Sequence, residues 1–501
     1  MNSRPGRSRP FEYKWLAMLT ASIGTFMATL DASIVNVSLP TIMRSLHADL
    51  PMVQWVVSIY LLVITGLLLS LGRLSDLVGR RRVFIAGLAV FSAGSLLCGL
   101  SGTVSLLIFF RGVQAVGAAM IMANSPAIVT QAFPSSERGK ALGMIGMVVA
   151  TGLTAGPALG GFLIAAWGWP LIFLINVPIG AIGIWVAYVV LPRERRGMER
   201  HFDIPGAVML LVTLVSLTLA LNQGSERGWD SMYVRMLFLS FVMFGLFFLW
   251  RERTCEHPII ELGLFRNRTF AAASMSAFIS FAAGFAVSFL MPFYLSRILG
   301  YTPRQMGLTL AAVPLTVMVI APISGSLSDR IGSRALSSTG LAVLSIGLLL
   351  ISRLGADPGS SAVVFSLVVV GLGSAIFQSP NNSSIMGSVP PNMLGVAAGM
   401  TATMRNLGMI TGLAVSGAVY TSRRLFYAGE FGATQASVHA FHDAFVVAAL
   451  ICAVGVITSA VRGSAHTGSS QPFDGFDRLT AGRLRTGPSA ASSQDDMPDA
   501  E

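Results

Sequence analysis

Charge is scarce in this 501-residue chain. Acidic and basic residues together make up 11% of it, against about 25% in an average soluble domain. So few charges cannot clothe a water-facing surface of this size, which excludes the soluble class. Cysteine is nearly absent as well. Cys98 and Cys452 sit in apolar runs and Cys255 in a basic loop, an odd number that gives neither a disulfide framework nor metal-ligand spacing. Thiol chemistry is not expected, and no metal or cofactor is implied. Lysine occurs only at Lys14 and Lys140. No GxxxxGKS or GxxxxGKT run provides the phosphate loop of an ATP-driven pump. Neither HExxH nor GxSxG is present, so the common hydrolase signatures are missing too.

Apolar residues are abundant, at 53% of the chain. They fall into runs of the ~20 residues that a membrane-crossing helix needs. We read fourteen spans, at about 15–39, 52–71, 83–100, 104–127, 141–166, 170–191, 205–222, 233–250, 270–295, 305–327, 336–353, 361–380, 396–420 and 441–461. The first run exceeds 20 residues, too long for a cleavable signal, so it is expected to stay as the first helix. The net charge of +11 is spread over the loops rather than gathered in a patch, which points to anionic lipid and not to nucleic acid. With the N-terminus inside, 24 Lys and Arg lie on the cytoplasmic side and 8 outside, and Arg111 and Arg405 fall within spans. That bias places both termini in the cytoplasm. The loop 388–394 carries no basic residue, so its side rests on alternation alone.

The chain repeats itself. The run Gly72-Arg73-Leu74-Ser75-Asp76-Leu77-Val78-Gly79-Arg80-Arg81 is echoed by Gly325-Ser326-Leu327-Ser328-Asp329-Arg330-Ile331-Gly332-Ser333-Arg334. Gly139, Gly143, Gly152, Gly156 and Gly161 recur as Gly395, Gly399, Gly408, Gly412 and Gly417. The organisation expected is a cytoplasmic tail over 1–14, a six-helix half over 15–191, two inserted helices over 205–250, a second six-helix half over 269–461 and a disordered cytoplasmic tail over 462–501. Two parallel halves of this kind bind substrate between them near mid-membrane.

Ionisable residues inside a span cost roughly 2.5–3.5 kcal/mol on insertion scales, so each demands a reason. Asp31 is the one carboxylate well inside an apolar run. Burial penalises its charged form and a nearby guanidinium favours it, which suits a group that takes and releases a proton. The plainer reading is a structural polar contact. Arg111 cannot give up its proton, but it can tune a carboxylate, bind an anion or hold a helix contact. Arg405 carries the same choice. In Gly152-Leu153-Thr154-Ala155-Gly156-Pro157-Ala158-Leu159-Gly160-Gly161, glycines at i, i+4 and i+8 clear a face for close packing and Pro157 adds a kink.

These motifs resemble those of the major facilitator superfamily. Residues 72–84 are similar to its loop between spans two and three. Residues 152–161 match the GxxxGPxxGG motif of its proton-coupled exporters. Leu30 to Pro40, and Arg111 with Gln114 and Gly117, resemble motifs of the fourteen-span drug:proton antiporters of the QacA/EmrB type. Ser333 departs from the pattern, standing where a basic residue is expected. The resemblance implies an all-α major facilitator fold with two six-helix halves plus two extra helices. It implies secondary active export of lipophilic, often cationic drugs or natural products across the inner membrane, by a monomer and without enzymatic chemistry. Asp31 and Arg111 would couple protons. Gly72, Asp76, Gly79, Arg80 and Asp329 would form the gate, and Gly152, Gly156, Pro157, Gly160 and Gly161 would seal the halves.

Candidate substrate contacts are Asn36, Trp55, Tyr60, Gln114, Phe285, Phe289, Phe377, Gln378 and Asn381. Aromatic faces attract cations and the 24 Met suit a yielding pocket. Phe281, Tyr294, Asn124 and Asn382 are further candidates, and Asp443 is a possible second acid or a solvated helix start. Each aromatic also has the ordinary alternative of packing or facing lipid. A facilitator or exporter of one metabolite is the closer rival function, and a lipid-modifying membrane enzyme the remoter one.

Overall fold

A computed structural model describes residues 10–134, 137–192, 203–255, 262–390 and 393–460. These residues form helices and connecting turns, with no strand among them. The helices are α1 (Pro10–Ser45), α2 (Leu50–Val78), α3 (Arg80–Gly99), α4 (Val104–Ala132), α5 (Arg138–Trp167), α6 (Leu171–Leu174), α7 (Asn176–Val190), α8 (Ile204–Arg227) and α9 (Met232–Thr254). They continue with α10 (Arg268–Arg297), α11 (Pro303–Leu310), α12 (Ala312–Ile331), α13 (Ser333–Ser352), α14 (Ser360–Gly387), α15 (Leu394–Ala428) and α16 (Ala433–Ala460). The chain is a multi-pass membrane protein. The expected tail over 462–501 and residues 1–9 lie outside the described residues.

Among the described residues, thirteen segments are long and apolar enough to cross a membrane. The fourteenth expected span is α15, whose 35 residues are diluted by Arg405, Asn406 and five glycines. Two expected spans are kinked. The span 170–191 divides at Ile175 and the span 305–327 at Ala311, although both residues keep right-handed helical angles (φ −61° and −63°). The cause is the same in each case. Pro178 and Pro314 lack the N–H that would bond the carbonyls of Leu174 and Leu310 four residues back.

The packing is repeated along the chain. In the first set α1 lies on α5, α2 and α3 on α4, and α3 on α7. In the second α10 lies on α15, α12 and α13 on α14, and α13 on α16. The helices α8 and α9 pack on each other, and α8 touches α2 and α15. The sequence repeat therefore reappears as a repeat of helix pairings.

Contacts between the sets gather at the end carrying the 45–50 turn. Gln54 Nε2 donates to the Leu413 carbonyl at 3.3 Å. Beside it, the C-terminal half of α5 meets α11, where a Cβ on Gly161 would lie 2.5 Å from the Pro303 carbonyl oxygen. The same α5 face grips α1. A side chain on Gly152 or Gly156 would collide with the hydroxyls of Thr29 or Ser33, and one on Gly160 would lie 2.8 Å from Ile34. Ser33 Oγ donates to the Gly152 carbonyl at 3.2 Å. The glycine motif thus holds the turn of α1 that carries Asp31.

Candidate functional site: a buried ion pair beside a central cavity

Asp31 is wholly buried, and so is Arg111. On α4 the spacing of Arg111 and Gln114 puts both on one helix face, turned to α1. Arg111 Nη1 pairs with Asp31 Oδ2 and donates to Gln114 Oε1 at 2.8 Å. Gln114 Nε2 donates to Asp31 Oδ1 at 2.8 Å and to Ser95 Oγ of α3 at 2.7 Å. Asn176, the first residue after the kink before α7, donates its Nδ2 to Asp31 Oδ1 at 3.1 Å. Arg111 Nε donates to the Val56 carbonyl of α2 at 3.1 Å. Its guanidinium carbon lies 4.0 Å from the Tyr60 ring centre and 5.7 Å from that of Phe173. The carboxylate is therefore served by donors from α4 and α7, and the guanidinium by acceptors and rings from α1, α2, α4 and α6.

Removing one member of such a pair leaves an uncompensated buried charge, a loss of about 3–5 kcal/mol.

The other face of the same α1 turn opens on a cavity of about 180 Å³. Ala32, Ser33 and Asn36 of α1 line it, with Phe281 and Phe285 of α10, Gln378 of α14 and Pro157 of α5. Of the expected substrate contacts, Asn36, Phe285 and Gln378 therefore share this wall. Gln114 is in the ion-pair network, and Tyr60 stacks on Arg111 while also lining a small adjoining space. Phe289 and Phe377 are fully buried in the apolar core, and Trp55 is half-buried away from the cavity wall. Asn381 Nδ2 donates to the Ala273 carbonyl at 3.2 Å. Asp443 pairs with Arg423 at 3.2 Å and accepts from the Tyr427 hydroxyl at 3.0 Å.

Of the expected gate positions, Gly79 forms the α2–α3 turn and the others lie within helices α2, α3 and α12. Gly79, between α2 and α3, has φ 106°, and Gly332, between α12 and α13, has φ 88°, angles that favour glycine in both. Arg80 Nη1 donates to the Ala127 carbonyl at 3.2 Å and to Gln131 Oε1 at 3.4 Å. Gly72, Asp76 and Asp329 fall within α2 and α12, but the side chains of Asp76 and Asp329 lie outside the described ones. Asn176 and Ser95 were not anticipated from sequence. The signal for Asn176 was a lone amide two residues before a span-interrupting proline.

The family model of the Major Facilitator Superfamily matches residues 21–253 and 273–475. The chain belongs to that superfamily. It is 38% identical over 446 residues to the riboflavin transporter RibZ of Clostridioides difficile, covering 89% of this chain and 96% of that one. It is 34% identical to the multidrug resistance protein Stp of Mycobacterium tuberculosis over 81% of this chain and 75% of that protein. Among solved structures, a bacterial homologue of the human lysosomal transporter Spinster, inward-facing and unoccupied, aligns with a TM-score of 0.62 at 15% identity, covering 92% of this chain and 98% of that one. That likeness concerns the fold. The superfamily and its relatives make this chain a transporter rather than an enzyme.

Proposed function

We propose that this transporter is a proton-coupled exporter of amphipathic drugs or natural products, of the fourteen-span drug:proton antiporter type, working by alternating access in a cytoplasmic membrane with both termini inside. The observation that carries the reading is the fully buried Asp31–Arg111 pair on the same helix turn whose opposite face lines the cavity. Proton uptake at Asp31 releases Arg111 and loosens α1, and occupation of the cavity acts on the same turn. Proton and substrate thereby bias one element without sharing a binding surface. The inward proton supplies about 1.4 kcal/mol per pH unit and about 2.3 kcal/mol per 100 mV.

The test uses sealed proteoliposomes with an imposed pH gradient and a pH-sensitive dye inside. Substrate-triggered proton flux in the wild type and none in Asp31→Asn is the expected result. Normal coupled efflux in Asp31→Asn overturns the assignment of Asp31.

A second reading is transport of one neutral metabolite. Its support is the 38% identity to a protein named as a riboflavin transporter, together with a main cavity wall of Asn, Gln, Ser and aromatic side chains that includes no ionisable residue among those described. Flux that ignores the pH gradient favours this reading.

A further inference from the structure

Arg405 has no role in the ion-pair network. It stands on α15 and lines a small space with Ala28, Thr29 and Ala32 of α1 and Tyr60 of α2. That space shares Ala32, Leu153 and Met409 with the main cavity, so the two adjoin along one wall. Among the described residues lining both, Arg405 carries the sole formal charge. No carboxylate among the described residues pairs with it. Its hydrogen bond is from Nε to Oδ1 of its neighbour Asn406, at 3.5 Å, the long limit for such a bond. Arg111, by contrast, has a carboxylate, an amide, a carbonyl and two rings.

A second orphan lies beside it. Asn406 is 4% exposed and lines the same space, and its Nδ2 has no acceptor among the described residues. In a recess whose other polar side chains, Thr29 and Tyr60, already donate to α1 carbonyls, two adjacent donors lack an acceptor with at least two oxygens. A guanidinium matches the two oxygens of a carboxylate, and Arg405 is half-buried with no carboxylate partner among the described residues. Asp31 is not the missing partner: Arg111, Gln114 and Asn176 hold it, and it lines neither space.

We propose that Arg405 and Asn406 form an anion-recognition site, so that the carrier takes amphipathic compounds bearing a carboxylate or similar oxyanion, with the apolar body in the main cavity. The proposal rests on the transport reading for what is moved, and it replaces the cationic class implied by the family resemblance.

The test is equilibrium binding to the full chain in lipid nanodiscs, corrected with empty discs. Three probes share one apolar body: naphthalene-2-carboxylate, naphthalene-2-carboxamide and naphthalen-2-ylmethylammonium. The wild type is expected to bind the carboxylate about tenfold or more tighter than the ammonium, since a charge-assisted bidentate pair forms only with the former. Arg405→Gln is expected to lose that advantage and keep carboxamide affinity within about twofold, and Arg405→Lys, a point charge, to retain part of it. Asn406→Asp keeps Arg405 but fills the recess with a carboxylate, and is expected to lose naphthoate binding whether or not Arg405→Gln folds. The proposal is overturned if the preference survives Arg405→Gln or Asn406→Asp, if the ammonium binds better, or if folded wild type does not bind naphthoate. No gradient is present, so these outcomes are independent of proton coupling. Coupled flux without carboxylate binding sinks this inference alone.

Discussion

Gly161 of α5 and Gly307 of α11 stand backbone against backbone. A Cβ on Gly161 would lie 2.8 Å from the Gly307 Cα, and one on Gly307 would lie 2.9 Å from the Gly161 Cα and 2.6 Å from the Pro157 carbonyl oxygen. The contact joins the two helix sets at the end where they are closed. Neither residue can acquire a side chain without the helices parting.

Gly161→Val is therefore expected to act on one conformation more than the other. Overpacking costs about 1–3 kcal/mol, which corresponds to roughly a 5- to 150-fold shift between states. Place a single cysteine at Ala32, in the cavity wall, in a background free of Cys98, Cys255 and Cys452. Its labelling by an impermeant maleimide from the side of the 45–50 turn should rise, while transport falls. Unchanged labelling would show that this contact is not the seal.

The ion pair makes an asymmetric prediction. Arg111→Gln takes the charge partner from the wholly buried Asp31, and should destabilise the protein by about 3–5 kcal/mol. The double variant Asp31→Asn with Arg111→Gln removes both charges and should unfold at a higher temperature than Arg111→Gln alone, because residues in contact are not additive. Thermal unfolding of the purified variants reads this directly. If the double variant were the least stable of the set, Asp31 and Arg111 would not be acting as a pair.

What was legible in the sequence follows from what each signal measures. Apolar runs gave the helices because lipid imposes length and composition together. Asp31, Arg111 and Gln114 were legible because ionisable and amide groups in spans need partners, and the i, i+3 spacing points Arg111 and Gln114 one way. Asn176 was not, because a single amide near a helix kink has no periodicity to betray its direction. The division of the aromatics was equally closed to sequence reading. Tyr60 stacks on Arg111, Phe285 lines the cavity, and Phe289 is packed in the core. A lone chain does not reveal which ring meets which neighbour.

Asn176 offers a further mutational test. Its Nδ2 donates to Asp31 Oδ1 at 3.1 Å. Asn176→Ala removes that donor from a wholly buried side chain, and a hydrogen bond to a charged group is worth about 1.5–3 kcal/mol, so the purified variant should unfold at a lower temperature. In an Asp31→Asn background the same substitution should cost less, because residues in contact are not additive. Equal costs in the two backgrounds would show that Asn176 does not act through Asp31.

The two loops offer the last comparison. Arg80 bonds Gln131 across 51 residues, and Ser384 donates to Ser333 at 2.6 Å across the same 51 residues. Corresponding positions of the repeat therefore tie α3 to α4 and α13 to α14. The chemistry differs: Arg80 also reaches the Ala127 carbonyl with a charged group, whereas the serine pair is neutral. Hydrogen bonds to charged groups contribute about 1.5–3 kcal/mol and neutral ones about 0.5–1.5 kcal/mol. Arg80→Ser should thus slow transport several-fold, while Ser333→Ala should change it about twofold or less. Steady-state uptake into inverted vesicles, normalised to protein in the membrane, measures both. Equal losses would mean that the two loops carry the same load in spite of Ser333.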